Sequence, residues 1–273
     1  MMSFAANITG EIFDTYLSIR FELKKHLRRK RLLIVAILAI LMPLIFNVVP
    51  TVGDTDFTAY ADIFAAAILS FITVLIVITA ALFAGDAVSG EFENKTGLLL
   101  FSTTQSRVSI ILGKYIAALL ATFTVVSLYY AVTTLEIGAI YGVGEIPTEL
   151  AQSYSLALLY SMSAVSVVFF FSSVLKRTIS STILGFVFLM MVLPIIETIL
   201  QFTDIEPWFI VTYSSGLITE ALGGIDFAFG PGGHGINSLD FTPDLNVGIM
   251  VMIAYTIIFF VSGMVVANRR SVE

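Results

Sequence analysis

Six long apolar runs limit what this chain can become: Leu32–Val49, Ile63–Phe83, Tyr115–Leu135, Ser153–Leu175, Thr178–Leu200 and Leu245–Asn268. A bilayer core of about 30 Å is crossed by about 20 apolar residues at a rise of about 1.5 Å each. Five of the runs hold no charged residue, and the remaining one holds only Glu197, near its end. A charge at a helix centre costs about 2.5–3.5 kcal/mol even on lenient insertion scales, so clean runs are what spans require. Burial in a soluble core is the alternative, but six helices of this length in succession do not fit one small core. Composition agrees. Charged residues make up 12% of the chain against about 25% in a soluble domain, hydrophobic residues 58%, and the mean hydropathy is +0.96. The fold class expected is an all-α membrane protein with six transmembrane helices.

Basic residues orient the spans. With the N-terminus inside, every one of the 14 lysines and arginines falls on the inner side, at 20–31, 95, 107, 114, 176–177 and 269–270. The outer segments carry acids instead: Asp54, Asp56, Glu136, Glu145, Glu149, Asp204 and Asp240. Both termini are then cytoplasmic, in a multi-pass protein of the plasma membrane. Ahead of the first span, Ile12, Tyr16, Ile19, Leu23 and Leu27 form one face of a helix. Glu11, Asp14, Ser18, Glu22, Lys25 and Arg29 form the other. Such a helix, with a basic C-terminal half, is expected to lie along the inner leaflet and meet anionic lipid. The region ahead of the first span is too long, and no small-residue site follows it, for a cleaved signal peptide.

One transmembrane domain therefore covers 1–273: an amphipathic segment 1–31, the six spans, an inner loop 84–114 and an outer loop 201–244. In the outer loop, Pro207, Trp208 and Phe209 suit the membrane interface, and Tyr213–Leu222 suits a short helix dipping into the outer leaflet. The tip Phe229–Gly235 lacks the lysine and the preceding strand of a phosphate loop.

Several chemistries have no residues to carry them. There is no cysteine and no P-loop, and His26 and His234 fall on opposite sides of the membrane, so no metal site is expected. The scattered methionines read as packing. Spans without charged relays argue against an ion-driven carrier. If the chain moves a substrate, energy has to enter through the inner loops. The first of these is GDAVSGEFENKTGLLLFSTTQSRVSIILGK, residues 85–114. It has acids suited to a helix start at Glu91 and Glu93 and an apolar cytoplasmic run, Leu98–Phe101, that suits either a helix resting on the lipid or, better, a docking element for a soluble subunit.

This segment resembles the signature after the second span of type-2 ABC transporter permeases. The residues that carry the likeness are Gly90, Glu91, Glu93, Thr96, Leu98 to Leu100, Ser106, Arg107, Gly113 and Lys114. Lys95 replaces a frequent glycine, and Thr104–Gln105 replaces a proline. Ser172–Thr178 is similar to the second cytoplasmic loop of that family, more weakly. The resemblance implies the membrane half of an ATP-driven transporter, an exporter, paired with a second permease chain as a homodimer or with a close paralogue. It also implies a separate ABC ATP-binding subunit, in two copies per transporter, which carries ATP and Mg while this chain binds no cofactor and is not itself an enzyme. Coupling to that subunit would fall to Gly90, Glu91, Phe92, Glu93, Thr96, Leu99, Arg107, Lys114, Lys176 and Arg177. Substrate would pass along the dimer interface, with Ser70, Thr73, Thr79, Ser181, Thr182 and Glu197 as candidates to line the path. Helix–helix hydrogen bonding is an equal reading of the hydroxyls among them. Membrane lipid is a partner and nucleic acid is not. A non-transporting scaffold subunit and a secondary transporter are the competing classes.

Overall fold

A computed structural model describes residues 2–28, 30–52, 61–94, 105–223 and 241–269, with side chains described for 11–28 and 30–45 and throughout the later ranges. Every regular element among the described residues is helical. In chain order they are α1 (Met2–Arg28), α2 (Arg31–Val52), α3 (Ala61–Leu69), α4 (Ile72–Ala84), α5 (Ser89–Glu93) and α6 (Arg107–Ile140). After a single turn at Val143–Glu145 come α7 (Glu149–Val174), α8 (Thr178–Val187), α9 (Leu193–Phe202), α10 (Val211–Ser215), α11 (Leu217–Glu220) and α12 (Leu245–Arg269). Five helical runs are long and apolar enough to cross a membrane: Ala61–Glu93, Arg107–Ile140, Glu149–Val174, Thr178–Phe202 and Leu245–Arg269. The described part of α2, Arg31–Ile45, is a shorter apolar helix.

The core is built around α7, which packs on α12, α4, α6 and α8. Its buried positions include Ser153, Ala157, Ser161, Ala164, Ser166 and Ser172, small side chains that let backbones approach closely. Their hydroxyls also cross between helices: Tyr130 Oη and Ser153 Oγ are 2.8 Å apart, as are Tyr115 Oη and Ser166 Oγ. Ser163 Oγ donates to the Met252 carbonyl at 2.8 Å. Without a hydrophobic drive between helices in lipid, such contacts and close packing supply the cohesion. The outer runs differ. Only 22% of the apolar window of Thr178–Phe202 and 17% of that of Leu245–Arg269 is buried. Large aliphatics such as Ile183, Ile195, Ile199, Ile257 and Ile258 point outward, a surface suited to lipid or to another membrane chain.

Local chemistry explains the breaks. Between α8 and α9, Phe188–Val192 forms one wide π turn, and Pro194 follows at the first positions of α9. Proline clashes with the carbonyl four residues back and donates no N–H; the wide turn before it opens the ladder at that point. Ser106 starts α6 by accepting from the Ser109 N–H at 3.1 Å, an ordinary N-cap.

Three sequence-based expectations change. The inner loop is shorter than 84–114, because α6 begins at Arg107, two turns ahead of Tyr115, and takes Lys114 into the helix. The segment Tyr213–Leu222 is helical in two short pieces, but it packs inward: Val211–Ser215, Leu217 and Ile218 are all buried. The third concerns α1. It is one helix, yet its polar side faces the protein, and Ile12, Tyr16 and Leu27 are 64%, 58% and 52% exposed. The α1 face lies against α6, where Gly113 makes the approach possible. A Cβ at Gly113 would come within 2.5 Å of Ser18 Cβ and 3.1 Å of the Thr15 carbonyl.

Candidate functional site

At the end of the bundle that carries the basic residues, five elements converge on α5. The centre is Lys114. Its ammonium is 5% exposed and donates to Glu91 Oε1 at 2.7 Å and, by a short contact, to Glu22 Oε1. Glu22 also accepts from Lys25 at 2.9 Å. Burial pushes the Glu22 carboxyl up, but the ammoniums of Lys114 and Lys25 outweigh it and hold it at about 2. A buried lysine is tolerable only when its donors are satisfied by carboxylates. Here two acids from two helices do this.

Beside it, Arg31 Nη1 at the start of α2 donates to Asp86 Oδ2 at 2.7 Å and to the Leu82 carbonyl at 3.2 Å. His26 lies between the two groups, 3% exposed, its ring edge-on to Phe83 at 5.0 Å and its Nδ1 without a hydrogen-bond partner. Burial pushes its pKa below the usual imidazole value. Asp86 and Glu22 pull the other way, and Lys25 and Arg31 add to the lowering.

On its other side α5 is tied to α7 and α8. Ser172 Oγ accepts from the backbone N–H groups of Val88 and Ser89 at 3.0 and 3.1 Å. Ser181 Oγ donates to the Gly85 carbonyl at 2.5 Å and lies 2.9 Å from Ser89 Oγ. Glu93 Oε2 accepts the Thr178 N–H at 2.8 Å, capping α8 with a carboxylate where its dipole favours one. Gly85 has no room for a side chain, since an added Cβ would press on Thr182.

These contacts leave Glu93 and Asn94 as the exposed tip of a short helix whose base is tied to α6 through Lys114, to α7 through Ser172 and to α8 through Ser181 and Thr178. A cleft of about 670 Å³ opens between the tip and α1, lined by Glu22, Lys25, Arg31, Asp86, Glu91 and Asn94 among others. Among the described residues no three His, Cys, Asp or Glu side chains gather to hold a metal ion.

Of the residues singled out in the sequence, Gly90, Glu91, Phe92, Glu93 and Lys114 come together here, with Phe92 resting half-buried on the core. Arg107 lies exposed in the first turn of α6, and Lys176 and Arg177 are exposed in the α7–α8 turn. Thr96, Leu99 and the run Leu98–Phe101 lie outside the described residues. The candidate path residues are distributed otherwise. Ser70 and Thr79 bond carbonyls of their own helical turns, Ala67 and Ile76, and Thr73 is buried. Ser181 belongs to the α5 contacts and Thr182 faces Gly85. Glu197 is buried in α9 and accepts from Thr212 Oγ1 at 3.0 Å. Sequence reasoning missed Arg31, Asp86, His26 and Ser172 as members of the site. An acid just after an apolar run, at Asp86, and an arginine just before one, at Arg31, were the available signal.

Among curated proteins none matches the chain. A family model does match, over residues 32–272, and by that match the chain belongs to the family described as Protein of unknown function (DUF2705).

Proposed function

We propose that this chain is the six-span membrane subunit of an ATP-driven ABC transporter of the plasma membrane, an exporter. A separate ATP-binding subunit docks on its cytoplasmic face. The observation that carries the reading is the anchoring of α5: an exposed Glu93–Asn94 tip whose base is pinned through Lys114, Ser172 and Ser181 to the spans. An element built to receive force from outside and distribute it has this form, and the chain holds no P-loop of its own. The outward aliphatic faces of α8, α9 and α12 support pairing with a second permease chain within the bilayer. Both termini and the α5 tip are cytoplasmic in this reading.

Glu91 is unsuitable as a probe of docking, because reversing its charge would break the buried pair with Lys114. Glu93 caps α8, so Asn94 serves better: it is exposed, and its side chain donates to the Gly90 carbonyl of its own turn. In proteoliposomes, the chain should raise the turnover of a P-loop ATPase that copurifies with it. Asn94→Arg should lower that stimulation about tenfold, the loss of contacts worth about 1.4 kcal/mol, while leaving the melting temperature unchanged. A chain that associates with no P-loop ATPase would leave the scaffold reading standing. Sidedness is tested by cysteine labelling: Asn94→Cys reacts only from the cytoplasm, and Val143→Cys, whose position is 80% exposed, only from outside.

One observation favours a secondary transporter instead. Glu136 is 7% exposed and neither carboxyl oxygen has a hydrogen-bond partner, as an intramembrane relay would have it. Uptake or efflux that follows an imposed proton gradient without ATP would support that class.

A further inference from the structure

At the end opposite the Lys114 cluster, a second cavity of about 620 Å³ lies between α10 and the start of α12. Its walls are mostly apolar: Val251 and Ala254 of α12 form one side and the Trp208 ring another. Two carboxylates, Glu206 and Asp244, also line it. Tyr213 Oη donates to Glu206 Oε1 at 3.1 Å, which fixes that carboxylate. Asp244 Oδ1 caps α12, accepting the N–H groups of Asn246 and Val247 at 2.8 and 3.2 Å.

Among the described residues neither acid forms an ion pair with a lysine or arginine. No lysine or arginine occurs anywhere between residues 178 and 268. The segments 32–94 and 115–175 hold none either. Two carboxylates do not make a cage for a metal ion, which needs more ligands. Carboxylates beside an exposed indole face and an apolar wall do match an organic cation whose charge is carried on greasy substituents.

We propose that this cavity binds a lipophilic organic cation, a quaternary ammonium or phosphonium centre held by Glu206 and Asp244 against Trp208, with its apolar groups along Val251 and Ala254. The proposal concerns binding by this chain alone and stands or falls apart from the transport reading. The cation can be free in the membrane interface or be the choline group of a lipid; the chemistry recognised is the same.

Trp208 is the only tryptophan in the chain, so its fluorescence reports on the cavity directly. The full chain is placed in nanodiscs of phosphatidylethanolamine and phosphatidylglycerol and titrated with tetraphenylphosphonium. Its anionic isostere, tetraphenylborate, controls for partition into the bilayer. Saturable quenching by the cation and none by the anion is expected. The double variant Glu206→Gln/Asp244→Asn keeps both hydrogen-bonding geometries and should weaken binding at least tenfold. Ala254→Phe, which fills the cavity without touching a charge, should do the same with an unchanged melting temperature. Equal quenching by both ions, or wild-type binding by both variants, overturns the proposal. In nanodiscs containing phosphatidylcholine, a raised apparent Kd identifies the lipid headgroup as a natural occupant, and an unchanged one identifies a free cation.

Discussion

Lys114 and Glu136 lie on one helix, α6, about 33 Å apart at about 1.5 Å per residue, and both are buried, at 5% and 7% exposed. Lys114 is met by two carboxylates; Glu136 is met by no hydrogen-bond partner at all. The contrast extends to the two ends of the bundle. At the basic end, Glu22, Asp86 and Glu91 each reach an ammonium or guanidinium. At the other end, Glu197 meets a threonine hydroxyl, Glu206 a tyrosine hydroxyl and Asp244 backbone N–H groups. The segregation of lysine and arginine to one side leaves the opposite carboxylates to be satisfied by dipoles alone. The basic end is therefore cross-linked by charge, and the acidic end is held by hydrogen bonds and packing.

The largest expected effect comes from removing the central cation. Lys114→Met takes away the ammonium that Glu22 and Glu91 share, with Lys25 still on Glu22, and breaking a buried pair in this way costs about 3–5 kcal/mol. Thermal unfolding in detergent should show a large drop in melting temperature. The triple variant Glu22→Gln/Glu91→Gln/Lys114→Met should recover most of it, because neutral side chains of similar size carry no desolvation cost of charge.

Acid should act on the same end. The Glu22 carboxyl is held at about 2 in the fold against an ordinary 4.5. Its contribution, about 3 kcal/mol by linkage, is present above pH 4.5 and is lost as the pH falls toward 2. His26, lowered from 6.5 by burial, acts in the same direction: the unfolded chain takes up its proton first, so stability declines as the pH falls below 6.5. A melting series from pH 7 to pH 3 should fall in both windows. Glu22→Gln should remove the lower decline, and His26→Phe the upper one.

Much of this was legible in the sequence. The long uncharged runs give the helices, and the polar stretch around Gly90–Glu93 stands out between them. The inward turn of the polar face of α1 was not legible, because a period of 3.6 identifies two faces and does not say which one meets lipid. Glu22 and Lys114 are 92 positions apart, and no local pattern links them. A charge count treats Lys114 as one more inner-side cation; only packing shows that it is the hub. The same holds at the opposite end, where Trp208 was legible as an interface anchor but Asp244 gave no sign that it shares a cavity with Glu206.

Neutralising the unpartnered carboxylate should break the symmetry between the ends. Glu91→Gln weakens the pair with Lys114 and lowers stability, whereas Glu136→Gln removes a buried acid that no cation answers. The melting temperature of Glu136→Gln should stay level or rise, by an amount worth about 1 kcal/mol or less on the scale of one polar group's desolvation. A drop as large as that of Glu91→Gln would mean that Glu136 is held by an interaction equal to the one at Lys114, and the contrast between the ends would fail.

The smallest effect is the sharpest on how the acidic end is held. Asp244 both caps α12 and carries a charge, and two substitutions separate the roles. Asparagine caps as well as aspartate does, and alanine does not. Asp244→Ala should therefore cost about 1 kcal/mol in thermal unfolding, through the lost hydrogen bonds to the Asn246 and Val247 N–H groups. Asp244→Asn should cost less than about 0.5 kcal/mol, the part owed to the charge at a helix N-terminus, which is screened at an exposed position. If the two variants lose the same stability, charge rather than hydrogen bonding holds this helix end, and the acidic end would then resemble the basic one after all.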